Sequence, residues 1–467
     1  MRTIALQQFR HAADVAVSDA DRRQFLRSAL AGYASVRSAT TASYQDYPAA
    51  RSAAAAIKWD ALENLADYLE AFESKLTSRG VHVHWAADAS SARDYVLDVL
   101  QRHDAKLVIK SKTMTSEEIH LNSALEHAGY EVVESDLGEL IVQLNREAPY
   151  HFVFPSMHLR RAEIKAIFDR AYGETGSDDP QELTMIARRV LRRQYLRADV
   201  GISGANFGVA ESGAIAITEN EGNSRLTCAM PKVHIVLMGI EKIVPRLADL
   251  ALLQPMLATA GTGQLLTGYN SLYFGPRRAG EVDGPEEMHV VLLDNRRTAI
   301  LADPELRDAL RCIRCGACLN VCPIFKNVGG HSYGVTYQGP IGAVIEPHLR
   351  DVSTFGHLSY ASSLCGACTE TCPVGIDIHH HLLRNRRRVA ERKPWLSEAI
   401  LFQGFALLMR FPWLLGAVGR VMRWFDRFAG ALQGSMVDPF AKWRATRTLP
   451  TAPKRSFKDY WRKRAAR

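Results

Sequence analysis

Long apolar runs are the first thing this chain lacks. A membrane-spanning helix needs about 20 uninterrupted apolar residues. The best candidate, Leu396 to Val421, is broken by Glu398, Gln403, Arg410 and Pro412. A secretory signal is also missing. Asp21-Arg22-Arg23-Gln24-Phe25-Leu26-Arg27 has the outline of a twin-arginine export motif. The stretch after it, Ser28 to Tyr44, is rich in Ala, Ser and Thr and is interrupted by Arg37, so the motif reads as a surface turn of an N-terminal helix. Eight cysteines in 467 residues are too few for a disulfide scaffold. No dinucleotide fingerprint with a downstream acid appears, so nicotinamide is not indicated. No internal repeat is visible beyond two cysteine motifs.

What is present is ordinary globular composition, 47% hydrophobic and 23% charged, which sets aside disordered and fibrous readings. The net charge of +8 is unevenly placed. From Arg384 onward there are 20 Lys/Arg against 5 Asp/Glu, leaving −7 on the rest. The chain reads as a mildly acidic body with a basic appendage. The appendage alternates cationic with apolar residues and carries Trp395, Trp413, Trp424, Trp443 and Trp461. That pattern suits an anionic membrane face or an acidic partner and not nucleic acid.

Four segments are expected. Residues 1–75 read as helical, with Ala53 to Leu76 carrying apolar residues at helical spacing. Residues 76–300 alternate strands and helices, which predicts an α/β domain with a mostly parallel sheet. Its strands are expected at Val81–Trp85, Lys106–Lys110, Tyr130–Val133, Leu140–Leu144, Gly213–Thr218, Val233–Met238 and His289–Leu293. Helices are expected at Ser90–Arg102, at Ser116–Ala128 with Ser116 as its cap, and at Glu241–Ala260. The glycines at 201, 204, 208 and 213, and at 261, 263 and 268, read as tight loops and not as a phosphate cradle. Residues 301–394 form a helical ferredoxin-type domain, and 395–467 a basic, amphipathic helical tail.

The chemistry lies in the third segment. Cys312-Ile-Arg-Cys315-Gly-Ala-Cys318-Leu-Asn-Val-Cys322-Pro323 matches the run that holds four-iron clusters. Cys365-Gly-Ala-Cys368-Thr-Glu-Thr-Cys372-Pro373 repeats its later part. Cysteines three apart present three thiolates to one face of a cubane, and the fourth reaches the other cluster. Cys312, Cys315, Cys318 and Cys372 should therefore hold one [4Fe-4S] cluster. Cys322, Cys365 and Cys368 should hold a second. A complete second motif would place cysteine where Ser362 stands. That leaves a non-cysteine ligand, an open iron or a [3Fe-4S] cluster, and a four-iron cluster with an unusual fourth site is the reading taken. Zinc sites use paired ligands and fit the pattern less well. Cys228 reads as a buried small hydrophobe, and His379-His380-His381 as a solvated surface.

Further motifs bear a resemblance. Lys110-Ser-Lys-Thr-Met-Thr-Ser-Glu-Glu-Ile119, Glu134-Ser-Asp-Leu-Gly-Glu139, Gly204-Ala-Asn-Phe-Gly-Val-Ala-Glu-Ser-Gly213, Glu219-Asn-Glu-Gly-Asn223, Gly330-His-Ser-Tyr-Gly334 and Tyr337-Gln-Gly-Pro-Ile-Gly342 join the cysteine runs. Together they resemble the lactate-utilisation iron–sulfur proteins of the LutB type over nearly the whole chain. The resemblance implies an α/β domain of the LUD type, shared with sugar-phosphate isomerases and CoA transferases. It implies two partner subunits, with which the chain oxidises L-lactate to pyruvate. The leading expectation is a cytoplasmic electron-transfer subunit, associated through its tail with the inner face of the membrane, passing electrons to an unidentified acceptor. The alternative is a catalytic subunit acting on a carboxylate or CoA-type substrate. Glu211 would then be nucleophile or base, Glu219 and Glu221 further candidates, and Lys110, Lys112 and Arg225 anion holders. Against that stands the simpler role of Glu211 as a loop cap or ion-pair partner.

Overall fold

A computed structural model describes residues 2–173, 176–392 and 396–431, with short stretches between 435 and 465. Four helices lead: α1 (Arg2–Ser18), α2 (Ala20–Ala42), α3 (Tyr47–Glu63) and α4 (Leu65–Thr77). Asp46 caps α3 by accepting the Ala49 amide at 2.8 Å, with Pro48 in the first turn. The expected helix over Ala53 to Leu76 is thus two, parted at Asn64. The Arg22-Arg23 pair lies in the first turn of α2, where Arg22 is bonded to Glu163.

Ten strands follow: β1 (His82–Ala86), β2 (Leu107–Lys110), β3 (Glu131–Glu134), β4 (Val200–Gly204), β5 (Phe207–Val209), β6 (Ala214–Glu219), β7 (Val233–Gly239), β8 (Ile243–Val244), β9 (Tyr269–Tyr273) and β10 (Glu287–Leu293). Six form an all-parallel sheet in the order β1-β10-β7-β4-β2-β3. A parallel sheet is covered on both faces, so its strands are continuously apolar. All seven residues of β7 are buried. A smaller sheet runs β8-β5-β6-β9. The chain is α/β followed by a helical region, as its alternating pattern implies.

Several local expectations are corrected. Leu140–Leu144 is not a strand but the end of a helix, Leu137–Leu144. Asp136 caps it by accepting the Glu139 amide at 3.1 Å. Short apolar runs do not by themselves distinguish the two states. The helix expected over Ser116–Ala128 is two short ones, Met114–Glu118 and Leu121–His127, parted at His120, which sits at φ +52°. Thr113, not Ser116, caps the first. The helix expected from Glu241 begins only at Leu250, because β8 and two 3-10 turns occupy the intervening residues. Gly201, Gly204 and Gly208 lie in β4 and β5 and not in a loop. Their reason is close packing: a Cβ on Gly201 would stand 2.0 Å from the Thr227 carbonyl oxygen.

Residues 1–389 pack as one compact unit. A single hydrophobic core runs from Leu26, Leu30 and Ala54 through Val209 and Leu253 to Leu319, Tyr337 and Val374. The cysteine region therefore shares its core with the leading helices and the small sheet. Residues 390–467 form a second unit, with helices Leu396–Arg410 and Pro412–Ala431. Among the described residues no single helix is long and apolar enough to cross a membrane; Ala399–Arg410 and Pro412–Asp426 meet that test only as a pair bent by 114°.

Candidate iron–sulfur centre

The two cysteine motifs fold alike. In the first, Arg314 at φ +60° and Gly316 at φ +77° turn the chain into a short helix, Ala317–Val321, which ends at Cys322. In the second, Leu364 at φ +55° and Gly366 at φ +83° lead into Ala367–Thr371, ending at Cys372. The two helices pack together. This places the last cysteine of each motif beside the first cysteines of the other.

Cys312, Cys315, Cys318 and Cys372 all line one hollow, walled otherwise by apolar groups such as Phe152, Ile341 and Ile376. The electrostatic neighbours of these thiols are one another. Cys322 and Cys368 instead have Cys365 as a neighbour, and Cys368 also has Cys322. The seven sulfurs thus fall into a set of four and a set of three. Cys315 and Cys318 are buried and Cys365 is exposed. Burial pushes the Cys368 and Cys372 thiols up to about 11, and Cys315 and Cys318 further. Such thiols stay protonated unless a cation takes the proton's place. Amides point at the sulfurs: Arg314 N–H donates to Cys312 Sγ and Ile376 N–H to Cys372 Sγ, both at 3.4 Å.

Sequence reasoning missed the charges around the first set. Arg314, its side chain 10% exposed, lies beside Cys312, with Nη2 on Glu241 Oε1 at 3.1 Å and its guanidinium 4.7 Å over the Tyr337 ring. Its Nε and Nη1 are buried without a protein partner. Unpartnered donors on a cation beside Cys312 fit an anionic cluster. Arg297, 1% exposed, grips Glu118 through two bonds at 2.8 and 2.7 Å and Glu241 at 2.5 Å. Tyr337 O–H donates to Glu118 at 2.7 Å. Lys58 Nζ donates to the Glu241 and Ile243 carbonyls, and burial lowers it to about 8. His151 covers the first loop. Its Nδ1 accepts the Val153 amide at 2.9 Å, which leaves Nε2–H to donate to Asn320 Oδ1 at 3.1 Å. Burial lowers it to about 3, so it is neutral. Glu118, Glu241 and Asn320 lie far in sequence from the groups they bind, so no local pattern announces them.

The remaining candidates lie elsewhere. Glu211 lines a separate surface hollow with Asp60, Tyr68 and Arg246, and its Oε2 accepts the Leu247 amide at 2.9 Å. Glu219 accepts the Ser224 and Arg225 amides at 2.7 and 2.9 Å. Glu221 accepts the Leu137 amide at 3.1 Å, and the neighbouring Asp136 carboxylate raises it. Lys110 is 1% exposed and paired with Glu134 at 2.7 Å; Lys112 Nζ donates to the Val153 carbonyl at 2.5 Å; the Arg225 guanidinium lies 5.1 Å over Tyr269. Cys228 is buried, as expected. The histidine run is not wholly a solvated surface: His381 is buried against Asp308 at 3.0 Å, because this helix face packs inward. His379 meets Thr369 Oγ1 at 2.7 Å, and only His380 is exposed.

Residues 69–293 match the LUD domain, and 308–376 the 4Fe-4S dicluster domain. The chain is 43% identical to "Lactate utilization protein B" of Shouchella clausii over 89% of this chain and 88% of that one. It is 41% identical to the protein of that name from Exiguobacterium sp. over 96% of each. It is 42% identical to the "Uncharacterized electron transport protein YkgF" of Escherichia coli over 89% of this chain and 88% of that one. With its LUD fold and its iron–sulfur region both in place, the chain belongs to the lactate utilization protein B family.

Proposed function

We propose that this lactate-utilisation iron–sulfur protein is the electron-transfer subunit of an assembly that oxidises L-lactate to pyruvate. Cys312, Cys315, Cys318 and Cys372 hold one [4Fe-4S] cluster; Cys322, Cys365 and Cys368 hold the second. The observation that carries this reading is the sorting of seven sulfurs into two adjacent sets, with Cys372 crossing from its own motif to the other. Oxidising lactate to pyruvate releases two electrons and two protons, and each cluster supplies a one-electron relay. The chain's own residues fix the relay's spacing, keep water from the first set of sulfurs and set a positive charge, Arg314, beside it. Two partner subunits supply the lactate chemistry and an unidentified carrier accepts the electrons. The assembly works in the cytoplasm, with the basic tail holding this subunit to the inner membrane face.

Iron and labile-sulfide analysis of anaerobically purified protein, with electron paramagnetic resonance, tests the cofactor reading. About eight irons per chain and two interacting reduced signals are expected. Zinc without labile sulfide would overturn it. Reduction of the signals by L-lactate only when both partner subunits are present is the expected sign of the relay. The alternative, a catalytic α/β domain, requires Glu211→Gln to abolish turnover while leaving reducible clusters. The Glu211 bond to the Leu247 amide favours a loop-capping role and undiminished turnover.

A further inference from the structure

The second motif is one sulfur short, yet its loop is not relaxed. Leu364 holds φ +55°, a left-handed conformation that crowds its Cβ against the following carbonyl oxygen. It copies Arg314 at φ +60° in the first loop. In both loops this turn aims one amide back at the side chain two residues earlier. Arg314 N–H reaches Cys312 Sγ at 3.4 Å; Leu364 N–H reaches Ser362 Oγ at 3.1 Å. Ser362 therefore stands where Cys312 stands in the first loop, with its oxygen in place of the sulfur. Its main chain is held independently: Arg386 donates to the Ser362 carbonyl at 2.8 Å and to the Ser359 carbonyl at 2.9 Å, stacked 5.2 Å over Tyr360.

We infer that Ser362 Oγ is the fourth ligand of the second cluster. The inference rests on the two-cluster reading above. One Fe–Oγ bond forms, the hydroxyl proton leaves to solvent past the exposed Ser363 and Cys365, and no electron is transferred. A cation as acidic as iron takes an alkoxide as it takes a thiolate. The harder oxygen donor favours the oxidised iron, so the second cluster has a lower reduction potential than an all-thiolate one.

The test compares full-length wild type with Ser362→Cys and Ser362→Ala, each purified anaerobically with iron-57, by Mössbauer spectroscopy and potentiometric electron paramagnetic resonance. In the wild type one iron of the second cluster should differ from its three neighbours. Ser362→Cys should erase that difference and raise the potential. Ser362→Ala should change the distinct iron's signature or remove that iron. An unaltered first-cluster signal in each variant confirms folding. One signature and one potential shared by all three proteins would overturn the inference, as would an all-sulfur second cluster in the wild type. Both results leave the two-cluster reading intact, whereas absence of labile sulfide from the wild type would sink that reading itself.

Discussion

At the scale of the residue, the cysteines were legible because ligand spacing is a local property of sequence. The buried charges were not, because their partners meet only after folding: Arg297 takes Glu118 and Glu241 from 179 and 56 residues earlier in the chain. Removing such a cation strands two carboxylates, a loss of about 3–5 kcal/mol. Arg297→Met should lower unfolding free energy by that order in denaturant titration. Arg314 has a subtler part. Arg314→Leu should keep the iron but lower the first cluster's potential, since a neighbouring positive charge favours the reduced, more negative state; potentiometry reads the shift. A third case concerns pH. Burial raises Glu346 from 4.5 to about 7 despite Arg350 at 3.1 Å. A carboxyl whose folded value is raised stabilises below its unfolded value and loses that contribution as pH rises through the folded one. Stability should therefore decline between pH 4.5 and about 7, and Glu346→Gln should flatten that part of the curve in thermal melts across pH.

At the scale of the element, long periodic segments were readable and short ones were not. The strands β2, β7 and β10 stand out as apolar runs, whereas β8 has two residues and no pattern to read. Leu137–Leu144 carried a signal that hydrophobicity hid: Asp136 and Glu139 stand as a cap and its third helical residue. Glycines mark where elements press together. At Gly330 an added Cβ would stand 1.6 Å from the Tyr150 carbonyl oxygen; at Gly366 it would meet nothing within 4 Å. Gly330→Ala should destabilise by about 3 kcal/mol or more, as overpacking against backbone does. Gly366→Ala should cost only the roughly 1–2 kcal/mol of its left-handed φ. Thermal unfolding of the two variants side by side gives the comparison.

At the scale of the whole molecule, charge division was visible in composition alone, and the packing of 1–389 as one unit was not. Segment-by-segment reading treats each pattern as its own body, whereas the apolar core passes from α2 to the cysteine loops without a gap. The tail exposes Leu401, Phe402, Trp413 and Trp424 among its cations. Vesicles containing anionic lipid should bind the full chain in low salt, release it as salt rises, and fail to bind a chain ending at Lys393.

The two cysteine loops differ in what covers them. A Cβ on Gly316 would press at 2.8 Å on His151 and Val153, while Gly366 faces open space and Cys365 is exposed. Dissolved oxygen therefore meets the two ends unequally. On exposure to air the cluster at Cys365 should bleach first and the one at Cys315 persist, so that a partly aged sample holds half its colour and no complete relay.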